Sequence, residues 1–117
     1  MAERERVICA SADLVDSGDG VRFEVRIHGS LEPAFAVRYD GTVHAYLNRC
    51  AHLPMELDWQ PGKFFDAGGL VLICSTHGAT YSPETGACLG GPCQGRLVRI
   101  PVDERDGKVL VKEYGDG

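Results

Sequence analysis

The sequence predicts an all-β protein, on three observations. Apolar and polar residues alternate with a period of two in several short stretches, as in half-buried strands. Two Asp-Gly pairs lie between such stretches, where tight hairpins form. No segment sustains a helical period. A chain of 117 residues has room for one domain and one modest core, so one β domain over residues 1–117 is expected.

Taken in order, a first strand contains Cys9. Val21, Phe23, Val25 and Ile27 then alternate with Arg22, Glu24 and Arg26. Phe35, Val37 and Tyr39 repeat that pattern, Asp40-Gly41 turns the chain, and Val43, Ala45 and Leu47 return it towards Cys50. From Leu53 to Gly69 the pattern stops, punctuated by Pro54, Pro61, Gly62, Gly68 and Gly69; Met55 to Trp59 makes at most a short helical turn. Leu70-Val71-Leu72-Ile73 reads as a buried strand. Thr80-Tyr81 and Ala87-Cys88 flank a tight connection at Ser82-Pro83-Glu84-Thr85-Gly86. Gly90-Gly91-Pro92 breaks the chain again. Beyond it, Val98, Ile100 and Val102 form the apolar face of a strand, and Asp106-Gly107 leads into a last one over Val109 to Val111.

Charge and composition exclude several functions. A net charge of −5 argues against a nucleic-acid partner, because phosphate binding needs excess Lys and Arg. The charged start, Met1-Ala2-Glu3-Arg4-Glu5-Arg6, lacks the apolar stretch of a signal peptide. The longest apolar run, Leu70 to Cys74, is far too short to span a bilayer. A soluble, cytoplasmic protein with no membrane contact is therefore expected; it is taken as a monomer, although nothing in the sequence names the oligomeric state. Catalytic arrangements are also missing. No Ser-His-Asp set or phosphate-binding glycine loop stands out, and Glu56 and Asp58 read as a solvated pair, so no enzyme is expected.

The chemistry lies in two mixed pairs, Cys50-Ala51-His52 and Cys74-Ser75-Thr76-His77. Each offers one thiolate and one imidazole in a segment rich in turn residues. A [2Fe–2S] cluster with two Cys on one iron and two His on the other needs such a set. Two imidazoles in place of two thiolates donate less negative charge, so they raise the reduction potential above that of an all-Cys cluster. Gly78, directly after His77, lets the backbone approach such a group closely. A structural Cys₂His₂ zinc site is the alternative, although zinc loops usually pair like with like, as C-x₂₋₄-C and H-x₃₋₅-H.

These segments, with Leu53, Gly78, Tyr81, Pro83, Thr85-Gly86 and Gly91-Pro92, resemble the Rieske [2Fe–2S] domain over roughly residues 35 to 112. The resemblance implies an antiparallel β sandwich or barrel base with a small two-loop cluster-binding subdomain, about residues 48–93. It also implies one cluster held by Cys50, His52, Cys74 and His77, a third loop around Gly91-Pro92 covering it, and histidine rings at the surface. The membrane-bound members of cytochrome bc complexes carry a further Cys after each ligand pair and a Ser two residues after the second His. Here those positions are Met55, Thr76 and Ala79. With neither inter-loop disulfide nor serine donor, the resemblance points to the low end of the potential range, about −150 mV rather than about +300 mV. That end is occupied by soluble ferredoxins of ring-hydroxylating oxygenase systems. The implied function is single-electron transfer from a flavoprotein reductase to an oxygenase; a redox sensor or a zinc-stabilised binding module is the competing class.

Several residues remain for the tertiary structure to place. Twenty-one residues separate His52 from Cys74, more than such ferredoxins usually show, and they include Trp59, Phe64 and Phe65. Packing onto the base and a docking surface are the two readings of these aromatics. Cys88 and Cys93, like Cys9, read as reduced thiols acting as small hydrophobes, with a redox-active disulfide or an extra ligand as the other readings. Tyr81 either donates to the cluster or its Cys ligand, or points into the core. His28 and His44 are assigned no chemistry.

Overall fold

The computed structural model describes residues 3–27, 29–48, 63–65, 68–74, 78–90 and 96–114. Ten strands are found among them: β1 (Glu3–Ala10), β2 (Val21–Ile27), β3 (Ser30–Tyr39), β4 (Thr42–Leu47), β5 (Leu72–Ile73), β6 (Thr80–Tyr81), β7 (Cys88–Gly90), β8 (Arg99–Ile100), β9 (Val102–Arg105) and β10 (Lys108–Tyr114). Ser11–Asp13 form a single 3₁₀ turn. The expected all-β class is what the chain adopts. The strands make three antiparallel sheets, in the orders β1-β10-β9, β2-β3-β4-β8 and β5-β6-β7.

The central sheet sets the layering. Alternation along β3 and β4 predicted strands with one buried face, yet Ala34 to Val37 and Val43 to Asn48 are buried without a break. Both faces are covered. On one, Ala34, Ala36, Val43, Ala45 and Leu47 pack with Leu14, Val25 and Ile100 against Val109 and Val111 of β10. On the other, Phe35, Val37 and Tyr46 pack against Phe64, Leu72, Cys74, Ala79, Tyr81 and Leu97. The second layer is the one that carries the candidate ligand Cys74.

The turns follow their sequence signals. Asp40 and Gly41 have φ of 51° and 81°, and Asp106 and Gly107 have 52° and 73°. Two consecutive left-handed residues make the type I′ hairpin that matches strand twist. Asp16 holds the first of these turns: its carboxylate accepts from Asp40 N at 2.7 Å and Gly41 N at 3.1 Å. Arg38 fastens the neighbouring segments. Its guanidinium donates to the carbonyls of Leu14 (2.8 Å), Ser11 (3.2 Å) and Gly41 (3.1 Å), and to both carboxylate oxygens of Glu104. That paired hydrogen bond holds Glu104 below the usual carboxylate range and raises Arg38.

Two expectations change. The strand expected across Leu97 to Val102 is split at Pro101: β8 pairs with β4, whereas β9 pairs with β10. A proline has no N–H to continue a ladder, so the chain changes sheets there. Leu97 and Ile100 turn inwards while Val98 is exposed, which breaks the expected alternation. Likewise Leu70 is exposed and only Leu72–Ile73 is strand, so the buried run is shorter than its composition suggested. The short helical turn expected at Met55 to Trp59 lies outside the described residues.

Candidate metal centre

The expected ligand pairs follow strands β4 and β5 in the sequence. Strand β4 is the first arm, and its end is clamped on both sides. Leu47 N donates to Val98 O at 2.9 Å, and Asn48 N donates to Pro33 O at 2.8 Å. Asn48 is wholly buried two residues before Cys50. The chain therefore leaves the base at a fixed point. Cys50, His52 and the intervening Ala51 lie outside the described residues, as do Trp59, Glu56 and Asp58.

The chain returns at Phe64. Its ring is fully buried and stacks on Phe35, with centroids 3.9 Å apart and planes 12° from parallel. Phe65, half-buried, stacks on Tyr39 at 6.2 Å. Phe64 is used for packing and supplies no surface, whereas Phe65 packs on Tyr39 while remaining partly exposed. Phe64 O accepts from Ile73 N at 2.9 Å and Phe65 bridges Leu72, which ties the returning chain to β5.

Strands β5 and β6 form the second arm, pairing Leu72 with Tyr81 and Ile73 with Thr80. The loop between them is closed by two backbone bonds: Cys74 N to Ala79 O and Gly78 N to Cys74 O, each 2.8 Å. Gly78 has φ of 73°, which a side chain would strain, and nothing lies within 4 Å of where its Cβ would be. Cys74 sits at the base of this loop. It is fully buried and lies outside any disulfide. Ser75 to His77, at the tip, lie outside the described residues.

A thiol with this placement fits a cluster ligand. It is shielded from water, follows directly on β5, and is tied by backbone bonds to Gly78 and Ala79 on the far side of its loop. Ala79 and Tyr81 are fully buried in the same core as Cys74. Of the four expected ligands, Cys74 alone is described, and no group of three His, Cys, Asp or Glu side chains stands together among the described residues.

The turn after β6 braces this layer against the base. Ser82 Oγ accepts from Glu84 N and Thr85 N, both at 3.2 Å, and Gly86 N donates to Ser82 O at 2.8 Å. Tyr46, on β4, reaches across to donate its hydroxyl to Pro83 O at 3.0 Å. Burial pushes this phenol up to about 12, so it stays protonated as a donor. The Tyr46–Pro83 bond is a positioning contact that sequence reading missed. A tyrosine within an apolar strand gave no sign of where its hydroxyl would go.

His44 and Cys88 also differ from their sequence readings. His44 is buried and its Nδ1 has no hydrogen-bond partner. Burial lowers its pKa and nearby Arg99 adds to the effect, while Glu84 opposes it. An unfolded chain then binds a proton that the folded one refuses. This contribution to stability is complete above about pH 6.5, the ordinary histidine value, and is lost as the pH falls below it towards the lower folded value. Thermal unfolding at pH 7.5 and 5.5 should show a smaller loss of Tm in His44→Phe than in the parent; an equal loss would remove His44 as the cause. Cys88 is disulfide-bonded, with its partner outside the described residues. The expectation of a reduced thiol is therefore corrected for Cys88, while Cys9 remains outside any disulfide with its thiol pKa raised by burial. Cys93 and His28 lie outside the described residues.

Comparison with known proteins adds the family. The model of the Rieske [2Fe-2S] domain matches residues 5–113. The chain is similar in structure to the ferredoxin of carbazole 1,9a-dioxygenase from Nocardioides aromaticivorans IC177. The TM-score is 0.73 at 24% identity, covering 94% of this chain and 98% of that one. It is also similar to the Sphingomonas yanoikuyae B1 ferredoxin (TM-score 0.73, 25% identity, 95% and 100% covered). A third likeness is to a chain in a complex of reduced oxygenase and oxidized ferredoxin in carbazole 1,9a-dioxygenase (TM-score 0.72, 23% identity, 97% of each chain). No curated protein matches the sequence.

Proposed function

Because the chain belongs to the Rieske [2Fe-2S] domain family, we propose that it is a ferredoxin carrying single electrons from a flavoprotein reductase to an oxygenase. The family match over residues 5–113 carries this reading. The ferredoxin likenesses support it, since this chain covers 98% and 100% of two such proteins. The third likeness, found in a ferredoxin–oxygenase complex, supports an oxygenase as the acceptor.

The family's cofactor is one [2Fe–2S] cluster, which takes up and releases one electron. We assign Cys50 and Cys74 to one iron and His52 and His77 to the other. The residues that hold the second arm are described above: Cys74 supplies a water-shielded sulfur, the two backbone bonds fix its loop, and the Phe35–Phe64 stack and the Tyr46–Pro83 bond fix the layer to the base. Residues 1–117 act as one domain, with a cluster-binding subdomain at about 48–93. Ala79 presents a buried methyl where a hydroxyl donor would stabilise the reduced state, which favours a midpoint near the low end, about −150 mV. No helix among the described residues is long and apolar enough to cross a membrane. The net charge of −5 supports a protein that does not bind nucleic acid, and a cytoplasmic monomer is part of the proposal.

Iron and acid-labile sulfide analysis, with an EPR spectrum of the reduced protein and a potentiometric titration, tests the proposal. Equal iron and sulfide, a Rieske-type signal and a negative midpoint are expected. Bound zinc with no signal would overturn the cluster, and failure to pass electrons from a reductase to any oxygenase would overturn the carrier role.

A further inference from the structure

We propose that His44 and the turn over residues 82–86 form an acid-operated latch on the layer that carries Cys74. When His44 takes up a proton, the turn comes away from β4 and that layer loosens. The latch stands on the geometry of these residues; its bearing on a cluster rests on the function proposed above.

His44 and Tyr46 point to one face of β4, because side chains alternate along a strand. Tyr46 grips the turn twice. Its hydroxyl donates to Pro83 O at 3.0 Å, and its ring fills the space beside Gly86, where an added Cβ would lie 2.8 Å from Tyr46 Cε1. His44 makes no such grip: it is 7% exposed, and its Nδ1 has no hydrogen-bond partner. The charges that act on it come from the turn and the strand beside it, Glu84 and Arg99 of β8. Arg99 in turn donates to Glu84 O at 3.5 Å. On β3 the residue opposite His44 is Val37, which carries no charge. Histidine is the side chain whose charge ordinarily changes between about pH 5 and 8.

A proton on this ring puts a cation into a buried site beside a guanidinium, with no acceptor for Nδ1. One side of the contact must yield, and the turn is the weaker side. β4 is paired with β3 along its length and with β8 at Ala45 and Tyr46. The turn's own bonds, Gly86 N to Ser82 O and those to Ser82 Oγ, are internal and travel with it. Outwards it is held by hydrogen bonds from Tyr46, Arg99 and Leu97. Opening brings water or the Glu84 carboxylate to the imidazolium and restores its ordinary basicity. The latch is therefore closed above about pH 6.5 and opens progressively below it. The turn continues β6, which pairs with β5, and Cys74 N is bonded to Ala79 O just before β6. Freedom in the turn thus passes to the loop of Cys74.

The test is hydrogen–deuterium exchange of the cluster-loaded protein at pH 7.5 and 5.5, with and without dilute urea, corrected for intrinsic exchange and mapped by peptide mass spectrometry. Protection of residues 80–90 should fall by up to about tenfold at the lower pH, the limit for one histidine taking up one proton. A local opening exposes little surface, so this protection should be insensitive to dilute urea, unlike that of β10. His44→Phe should abolish the fall, and His44→Gln replaces it if the phenylalanine variant does not fold. Iron release to a chelator should quicken with acid more in the parent than in the variant. Equal protection at both pH values, a fall that persists without His44, or a turn that exchanges in step with β10 in urea would each overturn the latch. Equal acid effects on iron release in parent and variant would overturn its reach to Cys74. Iron and sulfide on the same samples report separately on the cluster: an acid-opened turn without iron refutes the cluster alone, and iron with a turn that stays closed refutes the latch alone.

Discussion

Cys74→Ser should yield a folded chain with almost no iron or acid-labile sulfide. Losing an outer-shell partner of a metal ligand costs about 10–100-fold in affinity, and losing a ligand costs more. Cys74 is the proposed ligand whose surroundings are described. The sulfur is fully buried, its loop is closed by two 2.8 Å backbone bonds, and the next strand begins at Thr80. Cys9→Ser is the matching control. That thiol lies in β1, outside this layer, and its raised pKa keeps it protonated, so iron content should stay at the parent level. His52→Cys should shift the visible and EPR spectra towards an all-Cys ferredoxin. Parent-level iron in Cys74→Ser, or an unchanged spectrum in His52→Cys, would remove the respective ligand from the assignment.

Phe64→Ala should be the most destabilising single substitution outside the ligands. Truncating a fully buried phenylalanine costs about 3–5 kcal/mol through lost transfer energy and the cavity left behind. Here the ring also stacks on Phe35 at 3.9 Å, and its backbone oxygen holds Ile73. In a domain of this size such a loss lowers Tm by well over about 10 °C. Phe64→Leu keeps most of the buried area and should recover at least half of the loss. Denaturant unfolding of the three proteins measures both effects. A cost below about 1 kcal/mol for the alanine variant would mean that the returning chain is anchored elsewhere.

How far the sequence could be read differs between fold and site. Strand positions were legible because alternation and Asp-Gly turns are local signals, and β2, β3, β4 and β10 fall where those signals place them. The sheet change at Pro101 was not legible. The residues around it alternate as one strand would, and which sheet each half joins depends on partners far along the chain. Leu70 misled for a related reason. Its four-residue apolar run reads as buried, but Leu70 is exposed and only Leu72–Ile73 pair in a sheet, opposite Tyr81 and Thr80.

At the site, the spacing of Cys74 to His77 marked it as a candidate, and its burial fits that reading. Asn48, Tyr46 and Phe64 carried no such mark, because their roles consist of contacts with Pro33, Pro83 and Phe35. The cysteine count likewise could not say which thiols pair. Cys88 was read as reduced from the expected compartment, whereas pairing is decided by which sulfurs the fold brings within bonding distance.

By itself the sequence pointed to the family and its cofactor: two Cys/His pairs at C-x-H and C-x₂-H spacing, in an all-β chain, have few uses besides a mixed-ligand iron–sulfur site. Ligand identity and strand period are properties of residues and their near neighbours, and survive without knowledge of the fold. The tertiary structure alone decided that both faces of the central sheet are covered, that Phe64 rather than a loop turn anchors the returning segment, and that Cys88 is disulfide-bonded. Each of these depends on which surfaces meet, and residues far apart in the chain meet only once the core has formed.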